Sequence, residues 1–316
     1  MSVQGPPTFI VNPASGGGRT GARWREWEPL ALRLMPGARV ELTTAVFDAA
    51  RIATEAVLAG SRLVVAVGGD GTVNEVVNGM MAAGPQRAES ALGILACGTG
   101  SDLARGLAIP TEAGASLTLL AAAAAGRAGT ALDVGRLRCV SLGESRAAVV
   151  RHFVNEADFG LGAEVTRRVN ARTRRGGRAT YLWTTVRALM RWKNPEVELR
   201  VDGGAPQRLK VKSVFVANAP YAGGGMCIAP GARTDDGRLR LVVYGDLGRI
   251  EAIRRLGETY EGREIDHPRI RYSDCAELLA DSAEEVHVEC DGEPVGRLPA
   301  RFDLIPAALR VIAGPG

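Results

Sequence analysis

The run Gly68-Gly69-Asp70-Gly71-Thr72 places a carboxylate and a hydroxyl among three glycines, between the apolar run Leu63–Val67 and a helix-forming stretch. Glycines there let main-chain N–H groups approach an anion with no Cβ in the way. The N-terminus of the next helix adds partial positive charge and unpaired amides, which together can grip a polyphosphate. A carboxylate inside an anion site calls for a compensating cation. Asp70 is therefore expected to act on Mg²⁺ bound with the phosphates, directly or through water. The plain alternative is an ordinary strand-to-helix turn, which the five-residue string disfavours.

Two more loops have this character. Asn12-Pro13-Ala14-Ser15-Gly16-Gly17-Gly18-Arg19 follows the apolar run Thr8–Val11. Gly16, Gly18 and Gly21 meet the G-x-G-x-x-G spacing, with Glu41 about 20 residues on, a pattern that by itself suggests NAD. The inserted Asn-Pro-Ala-Ser weakens that match, and the missing Gly-Lys-Ser/Thr ending excludes a P-loop NTPase. Gly98-Thr99-Gly100-Ser101-Asp102 ends a third strand-like run, Leu92–Ala96. In an open parallel sheet ligands bind at the carboxyl ends of the strands, where all three loops converge. Farther along, the glycine run Gly223-Gly224-Gly225-Met226 precedes Asp235-Asp236-Gly237, and Asp291-Gly292-Glu293 comes near the end. Asp-Gly turns are common, but these can also hold a hard cation or supply a general base.

The elements that must position these loops change character midway. Up to about residue 132, strands alternate with helices: Arg19–Leu34, then Asp48 (as N-cap) through Leu58. A third helix is capped by Thr72, with Val73, Val76, Val77 and Met80 on one face. After the strand Ala38–Leu42 and the short helix Asp102–Leu107, Thr111 opens an Ala-rich helix ending at Gly126. Such βα alternation predicts a parallel sheet with right-handed crossovers. From 133 to 305, strand-like runs dominate: Val149–Val154, Val197–Val201, Val211–Val216, Leu239–Val243, Val286–Glu289 and Phe302–Ile305. Helical patterns there are confined to about 178–192 and 248–257, which predicts an antiparallel β-rich second domain. Leu309–Ile312 is expected to return, so about 306–316 joins the first domain.

Composition fits a globular chain, with 46% apolar and 23% charged residues over a length that suggests two domains. Five scattered cysteines form no C-x-x-C pair, and three isolated histidines offer no metal spacing; zinc and disulfide frameworks are not expected. No stretch reaches ~18 uninterrupted apolar residues, and the N-terminus lacks a signal-peptide pattern, so a cytoplasmic location is expected. The net charge of +4 conceals nine Lys/Arg and no Asp/Glu between Arg167 and Lys193. One positive surface of this kind argues against general nucleic-acid binding. Leu182, Val186, Leu189 and Met190 share a helical face there. Packing on its own domain is the plainer reading of that face. Docking on an anionic membrane, at about 1 kcal/mol per basic residue, is the other.

Taken together, these motifs resemble the diacylglycerol kinase catalytic family, which includes sphingosine and ceramide kinases and soluble bacterial lipid kinases. The similarity runs from Asn12-Pro-Ala-Ser-Gly through Gly68-Gly-Asp-Gly-Thr-Val-Asn-Glu and Gly98-Thr-Gly-Ser-Asp, then Asn155-Glu, Gly160, Asn218, Asp235-Asp-Gly and Asp291-Gly-Glu. Ser101 departs from the family's usual Asn. The resemblance implies an α/β nucleotide domain of the NAD-kinase/phosphofructokinase type, a C-terminal β-sandwich and an active site in the cleft. ATP would be bound by Asn12, Pro13, Ala14, Ser15, Gly16, Thr43, Gly68, Gly69, Asp70, Gly71, Thr72, Val73, Asn74, Glu75 and Thr99. Asp70 and Asp102 would organise Mg²⁺ and its waters. A structural Mg²⁺ would take the Asp236 carboxylate and the carbonyls of Arg233 and Arg238. Glu293, with Asp291 beside it, would accept the proton of a lipid hydroxyl. The activity implied is ATP- and Mg-dependent phosphorylation of a diacylglycerol-like lipid at the inner face of a membrane, with oligomeric state left open. An NAD-kinase-like phosphotransferase and a non-catalytic nucleotide or lipid sensor are the competing readings.

Overall fold

The computed structural model describes residues 5–98, 100–126, 129–143, 147–171 and 190–315. The chain divides into one unit formed by Met1–Val134 with Pro306–Gly316 and another formed by Gly135–Ile305.

In the first unit, short strand-forming runs alternate with helix-forming stretches. The order is β1 (Thr8–Val11), α1 (Arg19–Leu34), β2 (Arg39–Leu42), α2 (Asp48–Leu58), β3 (Leu63–Gly68), α3 (Asp70–Ala82), β4 (Ala91–Ala96), α4 (Asp102–Gly106) and α5 (Ala113–Gly126). β1 pairs in parallel with β2 and β3, and β3 with β4. β1 and β3 are buried along their whole length, as expected of strands covered on both faces. Phe9, Val11, Val65 and Val67 share a core with Trp24 of α1 and Leu117 and Leu120 of α5. α2 and α3 pack on each other so closely that a Cβ at Gly79 would lie 2.1 Å from the Ala50 carbonyl oxygen.

β5 (Thr130–Ser141) leads into the second unit. There follow β6 (Ala148–Phe153), β7 (Glu156–Gly160), α6 (Leu161–Ala171), β8 (Glu196–Val201), β9 (Gln207–Lys210), β10 (Ser213–Ala217), β11 (Tyr221–Ala222) and β12 (Met226–Cys227). The chain continues with β13 (Leu239–Tyr244), α7 (Arg249–Leu256), β14 (Ile270–Cys275), β15 (Glu277–Asp281), β16 (His287–Cys290) and β17 (Glu293–Val311). Pairing here is antiparallel: β14-β13-β10-β7-β16-β17 in one layer, and β17-β15-β8-β9 with β5-β6 in the other. Both layers feed one apolar core, in which Phe159 and Phe302 stack at 5.8 Å between ring centroids. At its far end β17 pairs in parallel with β4, Arg310 opposite Ala91.

Several local expectations need correction. Phe302–Ile305 and Leu309–Ile312 are parts of one strand rather than two. Thr72 caps no helix: α3 begins at Asp70 with Gly69 before it, and the Thr72 hydroxyl is used elsewhere. Asp48 stands inside α2, its carboxylate accepting the Thr44 amide. At α5 the Glu112 carboxylate, not Thr111, receives the first amides, from Gly114 and Ala115. The expected helix at about 178–192 falls largely on 172–189, outside the described residues. All five cysteines are buried and free. Among the described residues no helix is long and apolar enough to cross a membrane.

Candidate active-site residues

β3 lies between β1 and β4, so parallel pairing delivers Asn12–Gly18, Gly68–Thr72 and the segment after Ala96 to the same sheet edge. Hydrogen bonds tie them together. The Asn12 side-chain amide donates to the Thr72 hydroxyl at 3.1 Å, and its carbonyl oxygen accepts the Ala14 amide at 3.1 Å. The Ser15 hydroxyl donates to the Asn12 carbonyl, bracing the Asn-Pro-Ala-Ser turn from within. Gly16, Gly17 and Gly18 have φ of 62°, 71° and 88°, a left-handed run that side chains resist. A Cβ at Gly17 or Gly18 would meet nothing within 4 Å, so the outer side of this turn is open to a ligand. Thr43 follows β2 and donates its amide to the Val11 carbonyl, beside Asn12.

Asp70 joins the second loop to the third. Its two carboxylate oxygens accept the amides of Ser101 and Asp102, both at 2.9 Å. The glycines make this approach feasible: a Cβ at Gly98 would lie 2.9 Å from the Gly69 Cα. Asp102 is buried in the first turn of α4. Ser101 adopts φ 52°, where Asn is enriched and Ser is not. The usual family Asn therefore matches a backbone demand at this position. Gly71 lies in the first turn of α3; Val73 and Asn74 are buried there. Glu75 accepts the Ala49 amide at 3.3 Å, a brace to α2. Thr99 lies outside the described residues.

In the second unit, β16 and β17 form a hairpin whose turn residues Asp291 and Gly292 have φ of 47° and 81°. Two positive φ values suit an Asp-Gly turn of the mirror-image type. The Asp291 carboxylate accepts three amides: Val154 at 3.0 Å, Asn155 at 2.9 Å and Glu156 at 3.1 Å. Its own amide donates to the Glu156 carbonyl. Glu293 opens β17, half-buried, next to this anchored turn. Asn218 closes the other side, donating its side-chain amide to Val154 and its main-chain amide to Asn155. On a separate turn, Asp236 is exposed and accepts the Arg238 amide at 3.0 Å, while Arg233 pairs with Asp235 at 3.1 Å.

Residues 6–136 match the diacylglycerol kinase catalytic domain, and residues 155–313 match the YegS C-terminal NAD kinase beta sandwich-like domain. The chain belongs to the diacylglycerol kinase family. A Chromohalobacter salexigens protein named "Probable lipid kinase YegS-like" is 31% identical over 271 residues, spanning 85% of this chain and 81% of its own. A Bacillus subtilis protein named "Diacylglycerol kinase" is 30% identical over 82% of this chain and 80% of its own. A crystal structure of a diacylglycerol kinase from Bacillus anthracis superposes with a TM-score of 0.72 at 19% identity, covering 100% of this chain and 99% of that one. Yeast NADH kinase complexed with NADH gives 0.52 at 12% identity, over 99% of this chain and 85% of that one. These two likenesses show the fold.

This diacylglycerol kinase family chain also brings Glu156, of the Asn155-Glu motif, together with two acids outside its motifs. Glu156 and Asp158 of β7 and Glu289 of β16 are buried together, with one carboxylate oxygen from each lying within 4.8 Å of the others. Burial pushes the Asp158 carboxyl up to about 7, against a bond from the Ala163 amide. Glu289 is held well above the usual carboxylate range by burial and by the charges of Glu156 and Asp158. Acidic residues two apart on an otherwise apolar strand were the available sign; their meeting with Glu289 depends on the β7–β16 register.

Proposed function

We propose that this chain is an ATP- and Mg-dependent lipid kinase whose acceptor is a hydroxyl of a diacylglycerol-like lipid. The observation that carries the reading is the set of braced glycine loops in a chain of this family, with Asp70 bridging two of them. Phosphoryl transfer needs alignment, charge neutralisation and a proton acceptor, and little covalent work from the protein. Amides of the Gly16–Gly18 turn and of the first turn of α3 would hold phosphate oxygens. Mg²⁺ would supply charge neutralisation when bound. Both Asp70 oxygens already accept amides, which favours contact with the metal through its waters over direct ligation. Asp236 and the carbonyls of Arg233 and Arg238 would supply an all-oxygen set of the kind a hard cation takes. In the reaction the lipid oxygen bonds to the γ-phosphorus as the bond to the bridging oxygen of ADP breaks, and Glu293 takes the hydroxyl proton. Asp291 is the positioning residue that fixes the turn bearing Glu293.

A lipid acceptor brings the protein to a bilayer, and one face of α7 fits that duty. Arg249, Ile253, Ile250 and Arg254 lie side by side around the helix, with Ile250 68% and Ile253 40% exposed. Ala252, on the opposite side, packs toward Leu161 and Val165. An apolar stripe flanked by arginines suits an anionic membrane surface. The basic stretch 167–193 contributes less than its count suggests, because Arg167 and Arg168 both pair with Glu164. Sedimentation with anionic vesicles is expected to fall with salt and with Ile250→Glu; indifference to both would remove this surface from the account.

The acceptor is tested by supplying labelled ATP with diacylglycerol, ceramide, sphingosine, phosphatidylglycerol or NAD. Label entering the diacylglycerol product is expected. Label entering NADP with none in any lipid would overturn the reading in favour of an NAD-kinase-like enzyme.

A further inference from the structure

Glu156 and Asp158 alternate along β7 with Ala157 and Phe159, which join the apolar core between the layers. Both carboxylates therefore lie on the other face of the strand. Glu289 stands directly opposite Asp158 in the antiparallel register, so its side chain shares that face. Relative exposures are 5%, 3% and 1% for Glu156, Asp158 and Glu289. Three carboxylates so far from water are costly unless something positive joins them.

The hydrogen-bond pattern adds a second observation. Asp158 Oδ1 and Glu289 Oε2 are enclosed and accept no hydrogen bond. Neither residue has an ion-pair partner among the described residues. The start of α6 closes over Asp158 so tightly that a Cβ at Gly162 would lie 2.1 Å from its Oδ2. Orphaned, nearly fully buried carboxylate oxygens, in a group whose three carboxylates each bring an oxygen within 4.8 Å of the others, are what an oxygen-ligated cation requires. The donor set is all carboxylate, which selects hard divalent ions over zinc or copper.

We propose that Glu156, Asp158 and Glu289 bind one divalent cation of the Mg²⁺, Mn²⁺ or Ca²⁺ class, separate from the Asp236 turn. The ion stiffens the strand pair that carries the Asp291–Glu293 turn, since the Glu156 amide donates to Asp291. This inference holds whichever acceptor the enzyme phosphorylates. Protons shared among the three acids are the competing occupant.

Metal content measured on nucleotide-free protein, as purified and after incubation with Mn²⁺, separates the two. Asp236→Asn leaves the three acids intact, and that protein is expected to retain about one Mn²⁺ per chain. Asp158→Asn and Glu289→Gln, each placed in the Asp236→Asn background, are expected to lose it, along with the Mn²⁺-dependent rise in thermal midpoint. Asp236→Asn protein that holds no Mn²⁺ would overturn the proposal and assign the cluster to shared protons, even if the other variants fail to fold. Mn²⁺ content unchanged by the two neutralising substitutions would overturn it equally.

Discussion

Asp291 and Glu289 stand two residues apart on one hairpin, both buried, and their surroundings are opposite. Asp291 receives three main-chain amides aimed at its oxygens. Glu289 faces two other carboxylates, and one of its oxygens accepts nothing. Asp70, in the first unit, repeats the Asp291 solution with two amides. Burial alone therefore does not decide what an acid does in the fold. Amides fixed in advance let Asp70 and Asp291 act as braces, whereas the Glu289 group must recruit a cation or protons.

The largest effect that would sharpen this contrast is expected from Asp291→Ala, which strands the amides of Val154, Asn155 and Glu156. A loss of about 3–5 kcal/mol in urea unfolding is expected. A loss within the scatter of surface substitutions would break the comparison. Asp70→Asn keeps one acceptor oxygen, and should lower kinase turnover by about 10²-fold while costing roughly 1–3 kcal/mol of stability. Gly98→Ala would push a methyl against the Gly69 main chain; destabilisation of about 1–3 kcal/mol is expected, read from the thermal midpoint. Glu289→Gln should act in the opposite sense to Asp291→Ala. In chelator at pH 8 it spares the native state the cost of a group whose carboxyl is raised, so the urea midpoint should hold or rise. Smallest of all, Ser101→Asn should gain roughly 0.5–1 kcal/mol, because Asn tolerates the left-handed backbone there.

What could be read ahead of the structure follows the range of the interactions. The loops after β1, β3 and β4 are written locally, as glycines placed between apolar runs and helix starts, and their convergence follows from parallel pairing. Their bracing is not local: Asn12 and Thr72 are 60 residues apart, and Thr72 therefore looked like a cap. The second unit was less legible. In β14 Ser273 and Asp274 are exposed one after the other, and in β15 Leu278, Leu279 and Ala280 form an unbroken apolar run, so neither strand shows a clean period of two. α6 is masked in the sequence because its basic residues merge into the positive stretch 167–193, whereas in the fold Glu164 holds Arg167 and Arg168. The acidic cluster needed the β7–β16 register, which no local pattern encodes.

The central claim is that Glu293 accepts the proton while Asp291 holds the turn in place. Diacylglycerol phosphorylation by wild type, Glu293→Gln and Asp291→Asn, each with its urea unfolding curve, tests it most directly. Glu293→Gln is expected to lose about 10²–10⁴-fold in kcat with KM and unfolding midpoint unchanged, whereas Asp291→Asn loses activity and stability together. Wild-type turnover in a folded Glu293→Gln protein would contradict the account.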